Sequence, residues 1–522
     1  MKLLVAEPLA EEGLALLRAH HQVDVRTDLS RDALLAALPA YDGLIVRSQV
    51  RVDAEAIAAG ARLAVIGRAG VGVDNVDLDA ATRAGIVVVN APTGNTIAAA
   101  EHTLALMFAL ARRVAAADAS VRRGEWKRSA FTGIELRGRT LGIVGLGKIG
   151  MALADRARGL QMEVIGHDPY VSAEAAAHHG VGLRSFEEVL EAADVLSLHV
   201  PNTRATRGLI GAAQLARMKP TAFLLNVSRG SVVDEAALAE ALAAGRIAGA
   251  GLDVYATEPP VGSPVLDAPN TVLTPHLGAS TAEAQVRVAV EAAEQVLDVL
   301  DGRPALYAVN APLVAPETAQ ALAPFLPLAE TLGQLYAQLA PAPADELTLE
   351  IAGELASHET GPLAAAALRG LLEVGTSERV NRINAPAIAR ARGISLIERK
   401  LPDAGPFASL VTLNGATAVG GTVAGGEQRI VRLGDDWVDM APAPNMLVTR
   451  HRDRPGTMGR VGLILGEHDV NISAMHLARR APREEAKMIL ALDDPVPDAA
   501  VAAIRADPEV LDLWLIRLDL GD

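Results

Sequence analysis

Over the first 90 residues, short apolar runs alternate with stretches of helical period. The runs KLLVAE, HQVDVR, YDGLIVRS, LAVIGRAG and GIVVVNAP predict strands of a parallel sheet with helices between them. From about Thr96 to Glu125 the pattern stays helical and predicts one long helix leading out of this unit. A second α/β unit opens at RTLGIVGLGKIG (139–150) and continues through MEVIGHD, DVLSLHVP, AFLLNVS, GAGLDVY and TVLTPHL. Another helix follows from Ala282 to Leu300, and Ser280 with Glu283 fits an S-x-x-E capping box at its start. Two α/β units bridged by two long helices predict two doubly wound domains with a cleft between them, the last helix returning to the first domain. The boundaries read as 1–93 with 283–310 for the first domain and 94–282 for the second.

Pro- and Ala-rich breaks divide the remainder. APLVAPETAQ (311–320) opens a third region, APAPADE (340–346) lies within it, and MAPAPNM (440–446) precedes the final segment. Such joints are semi-rigid spacers. The inserted region, 311–441, has Gly-rich strand patterns such as TAVGGTVAGGEQRIVRL and is expected to be α+β. The segment 445–522 reads as strand, PG turn, amphipathic helix and strand, and ends on ALDDPVP and LDLWLIRL, a βαββαβ order.

Composition narrows the function classes. A chain of 522 residues is too long for one core, and at 50% hydrophobic and 21% charged it is expected to fold. The formal charge of −15 argues against a general nucleic-acid or anionic-membrane surface. With no cysteine there are no disulfides, no thiolate metal ligands and no Cys nucleophile, and no metal site is predicted. The N-terminus lacks the apolar stretch of a signal peptide, and no run of about 18 apolar residues predicts a membrane span, so a cytoplasmic protein is expected.

The strongest local signal is Gly145-Leu-Gly147-Lys-Ile-Gly150, between an apolar strand and a helical run. The first glycine allows the tight turn, the second lets the backbone approach a pyrophosphate, and the third lets the helix pack on the strand. The helix N-terminus then offers its free N–H groups to the anion. Asp168 follows Gly147 by 21 residues at the end of the next strand, where an acid accepts ribose hydroxyls and repels a 2′-phosphate. The expected cofactor is NAD.

Three later strands end in chemically distinct groups at the edge where such a sheet binds its ligand. AFLLNVSRG ends in Arg229, GAGLDVY carries Asp253 with Glu258 just after it, and TVLTPH ends in His276. Oxidising a secondary alcohol requires a base for the hydroxyl proton as hydride leaves, and imidazole titrates near the working pH. A carboxylate on the other ring nitrogen orients the base and favours its charged form. An arginine supplies a permanent forked cation for a substrate carboxylate. Gly278 and Ala279 after the histidine let the chain pass close to a flat ligand.

With these residues in view, the chain resembles the D-isomer-specific 2-hydroxyacid dehydrogenases. The resemblance rests on GRAGVGVDNVD (67–77), NAPTGNTIAAAEHTLALMFALAR (90–112), LRGRTLGIVGLGKIG (136–150), LLNVSRGSVVDEAAL (224–238), GLDVYATEPP (251–260) and PHLGAST (275–281). It implies two Rossmann-like domains, catalytic roles for Arg229, Glu258 and His276, and an NAD site that includes Lys148, Ile149, Asp168, Val200, Val227, Ser228, Arg229, Asp253, His276, Gly278 and Ala279. Val71 and Val200 stand where members often have Thr, so contacts there are expected through the backbone. Arg47, Ser48, Arg68, Val71, Gly72 and Asn95 are expected to face the substrate. The run GEWKRSAF (124–131) resembles a dimer arm that brings Arg128 to a neighbouring subunit's site.

The catalytic half alone leaves the hydroxy acid open. The final segment resembles an ACT domain, which binds amino acids, with Asp453 and Asn471 at the positions of serine contacts. TSERVNRINAPAIARARGI (376–394) resembles the extra domain of the longest members, and Arg379 and Arg382 are candidates there for an anion. Dehydrogenase core, inserted domain and ACT tail in this order imply 3-phosphoglycerate as substrate, serine as a possible effector and a homotetramer. A glyoxylate or hydroxypyruvate reductase and an NAD-sensing protein without turnover are the alternatives.

Overall fold

The first sheet contains β1 (Lys2–Val5), β2 (Gln22–Val25), β3 (Gly43–Val46), β4 (Val65–Arg68) and β5 (Val87–Asn90) in the order β2-β1-β3-β4-β5, all parallel. These come from a computed structural model that describes every residue except 304, 312, 313, 341–344, 377, 378, 480, 521 and 522. Successive side chains of a strand point to opposite faces, so both faces of this sheet are apolar. Leu3, Val5, Ile45 and Val65 meet Leu14 and Leu17, while Leu4, Leu44, Val46 and Ile66 meet Leu34, Leu38 and Ile57 on the other face. The helix Ala282–Leu300 returns to this domain and buries Ala293, Val296 and Leu297 against the first face.

The second sheet contains β6 (Thr140–Val144), β7 (Glu163–His167), β8 (Gly182–Leu183), β9 (Val195–Leu198), β10 (Phe223–Asn226), β11 (Gly249–Leu252) and β12 (Thr271–Leu273). Its order, β12-β11-β10-β9-β6-β7-β8, reverses between β6 and β9. A doubly wound sheet binds its ligand at that reversal, beyond the strands' carboxyl ends.

Two local expectations need correction. The helix predicted over 96–125 is two helices, Thr96–Ala111 and Val114–Arg122. Between them Arg113 is left-handed at φ 53, and its guanidinium donates to the Ala130 carbonyl and to Asn270. No Gly or Pro marked the break, because distant partners fix it. The helix from Ala282 is capped by Thr281, whose Oγ1 accepts from Ala284 N at 3.2 Å, and not by Ser280. The helix begins at Ala282 as expected, but its cap is the residue after Ser280, which leaves Glu283 outside a capping box.

A third, mixed sheet contains β13 (Glu346–Gly353), β14 (Ser395–Leu401), β15 (Ser409–Asn414), β16 (Ala418–Ala424), β17 (Glu427–Leu433) and β18 (Asp436–Met440), in the order β14-β13-β15-β16-β17-β18. The last sheet contains β19 (Asn445–Arg452), β20 (Ile472–Arg479), β21 (Glu485–Leu492) and β22 (Val510–Arg517), in the order β20-β21-β19-β22. With the helices Thr457–Glu467 and Asp498–Arg505 it completes the βαββαβ order.

The spacer reading of MAPAPNM also needs correction. Leu447, Met488, Leu490 and Leu513 pack under the two helices of the last domain. The alternate residues Met446, Val448, Ile489 and Ile516 join Leu332, Leu335, Ile430 and Met440 of the inserted domain in one core. A sheet buried on both faces cannot turn as a free module, and the continuous apolar run MILAL (488–492) records that burial. The joints at 312–313 and 341–344 lie outside the described residues.

Candidate active site

The glycine turn is built as its spacing requires. Gly145 has φ +95, and a Cβ there would lie 2.5 Å from the His199 carbonyl oxygen and 3.0 Å from Val200 Cγ1. A Cβ on Gly150 would lie 2.2 Å from the Gly145 carbonyl oxygen, so only glycine lets the helix Lys148–Gly159 sit this close to β6. A Cβ on Gly147 would meet nothing within 4 Å, and that open space at a helix N-terminus suits a pyrophosphate. Lys148 is exposed with Nζ 5.7 Å from the centre of the Tyr307 ring, and Ile149 is half-buried. Asp168 directly follows β7, where Oδ2 accepts from Leu146 N at 2.8 Å and Oδ1 from Tyr170 N at 2.9 Å. One carboxylate therefore ties the turn to the next strand end.

The ends of β10, β11 and β12 are neighbours. Asn226, the buried last residue of β10, shapes the turn that presents Arg229: its Oδ1 accepts from the Ser228 N and Oγ, and its Nδ2 donates to the Arg229 carbonyl. Val227 and Ser228 are consequently buried in the turn.

Past β11, the Glu258 Oε1 accepts from Tyr255 N at 3.1 Å, and the Oε2 lies 2.8 Å from Nδ1 of His276. Burial raises the Glu258 carboxyl, but the His276 hydrogen bond and charge and the Tyr255 N–H outweigh it, holding the group below the usual carboxylate range.

His276 is left-handed at φ 57, a conformation costing about 1–3 kcal/mol outside glycine. Asp253 over-determines it. Its carbonyl accepts from His276 N at 2.8 Å, its Oδ1 from Leu277 N at 2.7 Å and its Oδ2 from Gly278 N at 2.8 Å. Expected to line the cofactor pocket, Asp253 is 0% exposed, and both oxygens are engaged in holding this loop. His102 Nε2 lies 3.1 Å from Asp253 Oδ1, and Thr274 Oγ1 donates to the same oxygen at 2.6 Å. Burial raises the Asp253 carboxyl, and these donors more than offset it. Gly278 is buried beside Val227, and Ala279 is half-buried.

The opposite wall comes from the first domain. Arg68 ends β4, and its buried Nε has no hydrogen-bond partner. Burial, together with the charges of Arg229 and Arg47, pushes its pKa down to about 10 against the pull of Glu7 and Asp74. A cation so placed gains from an incoming anion. The buried Glu7 accepts from the backbone N–H of Arg47, Gln49 and Val50, and Asn75 Nδ2 donates to the carbonyls of Arg47 and Val50. Arg47 and Ser48 thus sit on a braced loop. Val71 accepts from Asn90 Nδ2, Asn95 has a buried Oδ1 without a partner, and Gly72 lies under the Arg229 guanidinium. Arg128 is exposed at the start of the short turn Arg128–Phe131.

Sequence reasoning missed Asp74, Glu7, Asn75 and His102. Two of them left a trace: Glu7 is an acid directly after a buried strand, and His102 interrupts the apolar helix IAAAEHTLALMFAL. His199 is a half-buried histidine of another kind, bonded to Ser197 Oγ at 2.8 Å, and desolvation of its ring pushes it down to about 4, hence neutral.

The remaining predicted contacts are not brought together. Asp453 follows β19 and accepts from Arg479 Nη1 and Arg483 N, whereas Asn471 precedes β20 and donates to Asp493. Asn445 and Ile472 both face Leu492 of β21, so β19 and β20 run the same way and the two residues lie at opposite ends of the sheet. The anion-site expectation for Arg379 and Arg382 needs correction too. Arg379 donates to the Leu63 carbonyl and Arg382 to Glu330, so they serve a domain contact and an ion pair. Among the described residues no group of three His, Asp or Glu is arranged to hold a metal ion, and no helix is long and apolar enough to cross a membrane.

This architecture has known counterparts. Residues 104–278 match the NAD binding domain of D-isomer specific 2-hydroxyacid dehydrogenases, residues 321–434 the D-3-phosphoglycerate dehydrogenase intervening domain, and residues 445–509 the ACT domain. A D-3-phosphoglycerate dehydrogenase of Synechocystis sp. is 44% identical, covering 99% of this chain and 95% of its own. One of Archaeoglobus fulgidus is 43% identical, covering 99% of this chain and 100% of its own. A solved structure of a Thermus thermophilus protein is 40% identical over 59% of this chain and 100% of its own, with a TM-score of 0.55.

Proposed function

Since the chain belongs to the D-3-phosphoglycerate dehydrogenase family, within the NAD-dependent D-isomer-specific 2-hydroxyacid dehydrogenases, we propose that it oxidises 3-phospho-D-glycerate to 3-phosphooxypyruvate. The observation that carries this reading is the convergence of Arg229, Glu258 and His276 from adjacent strand ends, facing the under-satisfied Arg68 across the cleft.

With Nδ1 of His276 committed to Glu258, Nε2 is the nitrogen left to take the proton of the C2 hydroxyl. NAD, when bound, supplies the acceptor for the C2 hydride, and the C2–O bond becomes a carbonyl. As the proton arrives, Glu258 stabilises the imidazolium and keeps the ring oriented. Arg229 takes the substrate carboxylate and the charge developing on oxygen, and Arg68 with Arg47 takes the phosphate. The open turn at Gly147 and the helix behind it receive the pyrophosphate, with Asp168 at the ribose.

The same reading makes the protein a cytoplasmic enzyme opening L-serine synthesis. It acts as a homotetramer assembled through the arm at 124–131 and the ACT sheets, with L-serine as effector. NADH oxidation with phosphohydroxypyruvate and with glyoxylate tests the substrate, and faster turnover of glyoxylate overturns it. A protein that binds NADH but turns over no 2-oxo acid supports the sensor instead.

A further inference from the structure

An ion pair joins the two walls of the cleft. Arg229 belongs to the second domain and Asp74 to the loop after β4 in the first. The Arg229 Nε donates to Asp74 Oδ2 at 2.8 Å, and its Nη1 donates to the Ser228 carbonyl at 2.7 Å. The guanidinium is therefore held from both sides. A Cβ on Gly72 would lie 1.8 Å from Nη2, so the fork rests directly against the backbone of the 70–72 turn. Two of its five N–H groups are used, and three remain for an anion.

The loop that presents Asp74 is braced. Its neighbour Asn75 donates to the carbonyls of Arg47 and Val50, Val76 bridges to Val52, and Asp77 caps the helix Leu78–Arg83. Asp74 is itself 52% exposed within the pair. Exposed ion pairs are weak, so this one can break and re-form at each turnover without locking the cleft.

We infer that Asp74 is a positioning residue for the dehydrogenation: reaching across the cleft, it aims Arg229 at the substrate carboxylate only when the two domains are closed. The inference rests on the role given to Arg229 above. It makes closure and completion of the catalytic set a single event, since the arginine acquires its second support only when the walls meet.

Steady-state kinetics of the full-length chain test it, using the wild type, D74A, D74N, R229A and the double variant R229A/D74A. Small misplacements of a positioning group cost up to about 100-fold in rate. D74A is expected to lose about 10- to 100-fold in kcat/KM for 3-phosphoglycerate, with KM for NAD and the melting temperature unchanged. D74N keeps an oxygen to accept from Nε and recovers most of the loss. In the R229A background, D74A changes the rate by less than about twofold, because the residue acts through the arginine. The inference is overturned if D74A matches the wild type, if its loss multiplies with that of R229A, or if KM for NAD and the melting temperature move with it. An R229A protein as active as the wild type removes the reading of the active site itself.

Discussion

The active-site cleft and the C-terminal sheet gather their proposed ligand contacts in opposite ways. In the cleft, β10, β11 and β12 are parallel neighbours, so their carboxyl ends deliver Arg229, Glu258 and His276 to one edge within a single chain. In the C-terminal sheet, Asp453 and Asn471 flank strands that run the same way through a shared partner. An eight-residue strand separates them by about 25 Å. A parallel sheet concentrates its strand ends, whereas this antiparallel sheet spreads the pair to its two ends.

Removing the base from the concentrated site has the largest expected effect. H276A should lower kcat by about 10²- to 10⁴-fold while NADH binding, followed by fluorescence titration, persists. A smaller loss attends E258Q, which keeps the shape and removes the charge. A hydrogen bond to a charged group contributes about 1.5–3 kcal/mol, so kcat should fall about 10- to 150-fold. Glu258 also has a pH signature. Its carboxyl is held below the ordinary value of 4.5, so its stabilisation is fully present above that pH and is lost as pH falls through the lower folded value. Acid unfolding of the wild type and E258Q should therefore differ above pH 4.5 and converge as pH falls through the lower folded value.

Across the cleft, R68L should raise KM for 3-phosphoglycerate about tenfold and KM for unphosphorylated glycerate less. Equal effects on both substrates would detach Arg68 from the phosphate.

The smallest effect sharpens the other half of the comparison. D453A and N471A should each weaken inhibition by L-serine, and mixing the two variants should restore part of it. In a mixed pair one composite site is intact, so the absence of recovery would refute a site shared between copies.

Much of the cleft was legible along the chain because its signals are local. The glycine spacing, the acid at the next strand end and the polar residue closing each strand all follow from the path of a single α/β unit. The missed residues act over distance: Asp74 meets Arg229 across 155 residues, and His102 meets Asp253 across 151. Nothing near Asp74 in sequence distinguishes it from Asp77, a helix cap three positions later. Ser280 and Thr281 were equally competent caps, and the backbone's entry into the helix selected the second.

Periodicity and spacing thus specified the two parallel sheets, the glycine turn and the candidate residues at the strand ends, since each depends on interactions within a few residues or on one strand-to-helix junction. The packing of the domains specified the rest. It put a carboxylate from one wall on the arginine of the other and fused the C-terminal sheet to the inserted domain through its second face. It also held apart Asp453 and Asn471, the two residues that resemblance to an ACT domain had assigned to one effector. These are contacts between surfaces that meet only after each domain has folded, and their pairing has no periodic trace to read.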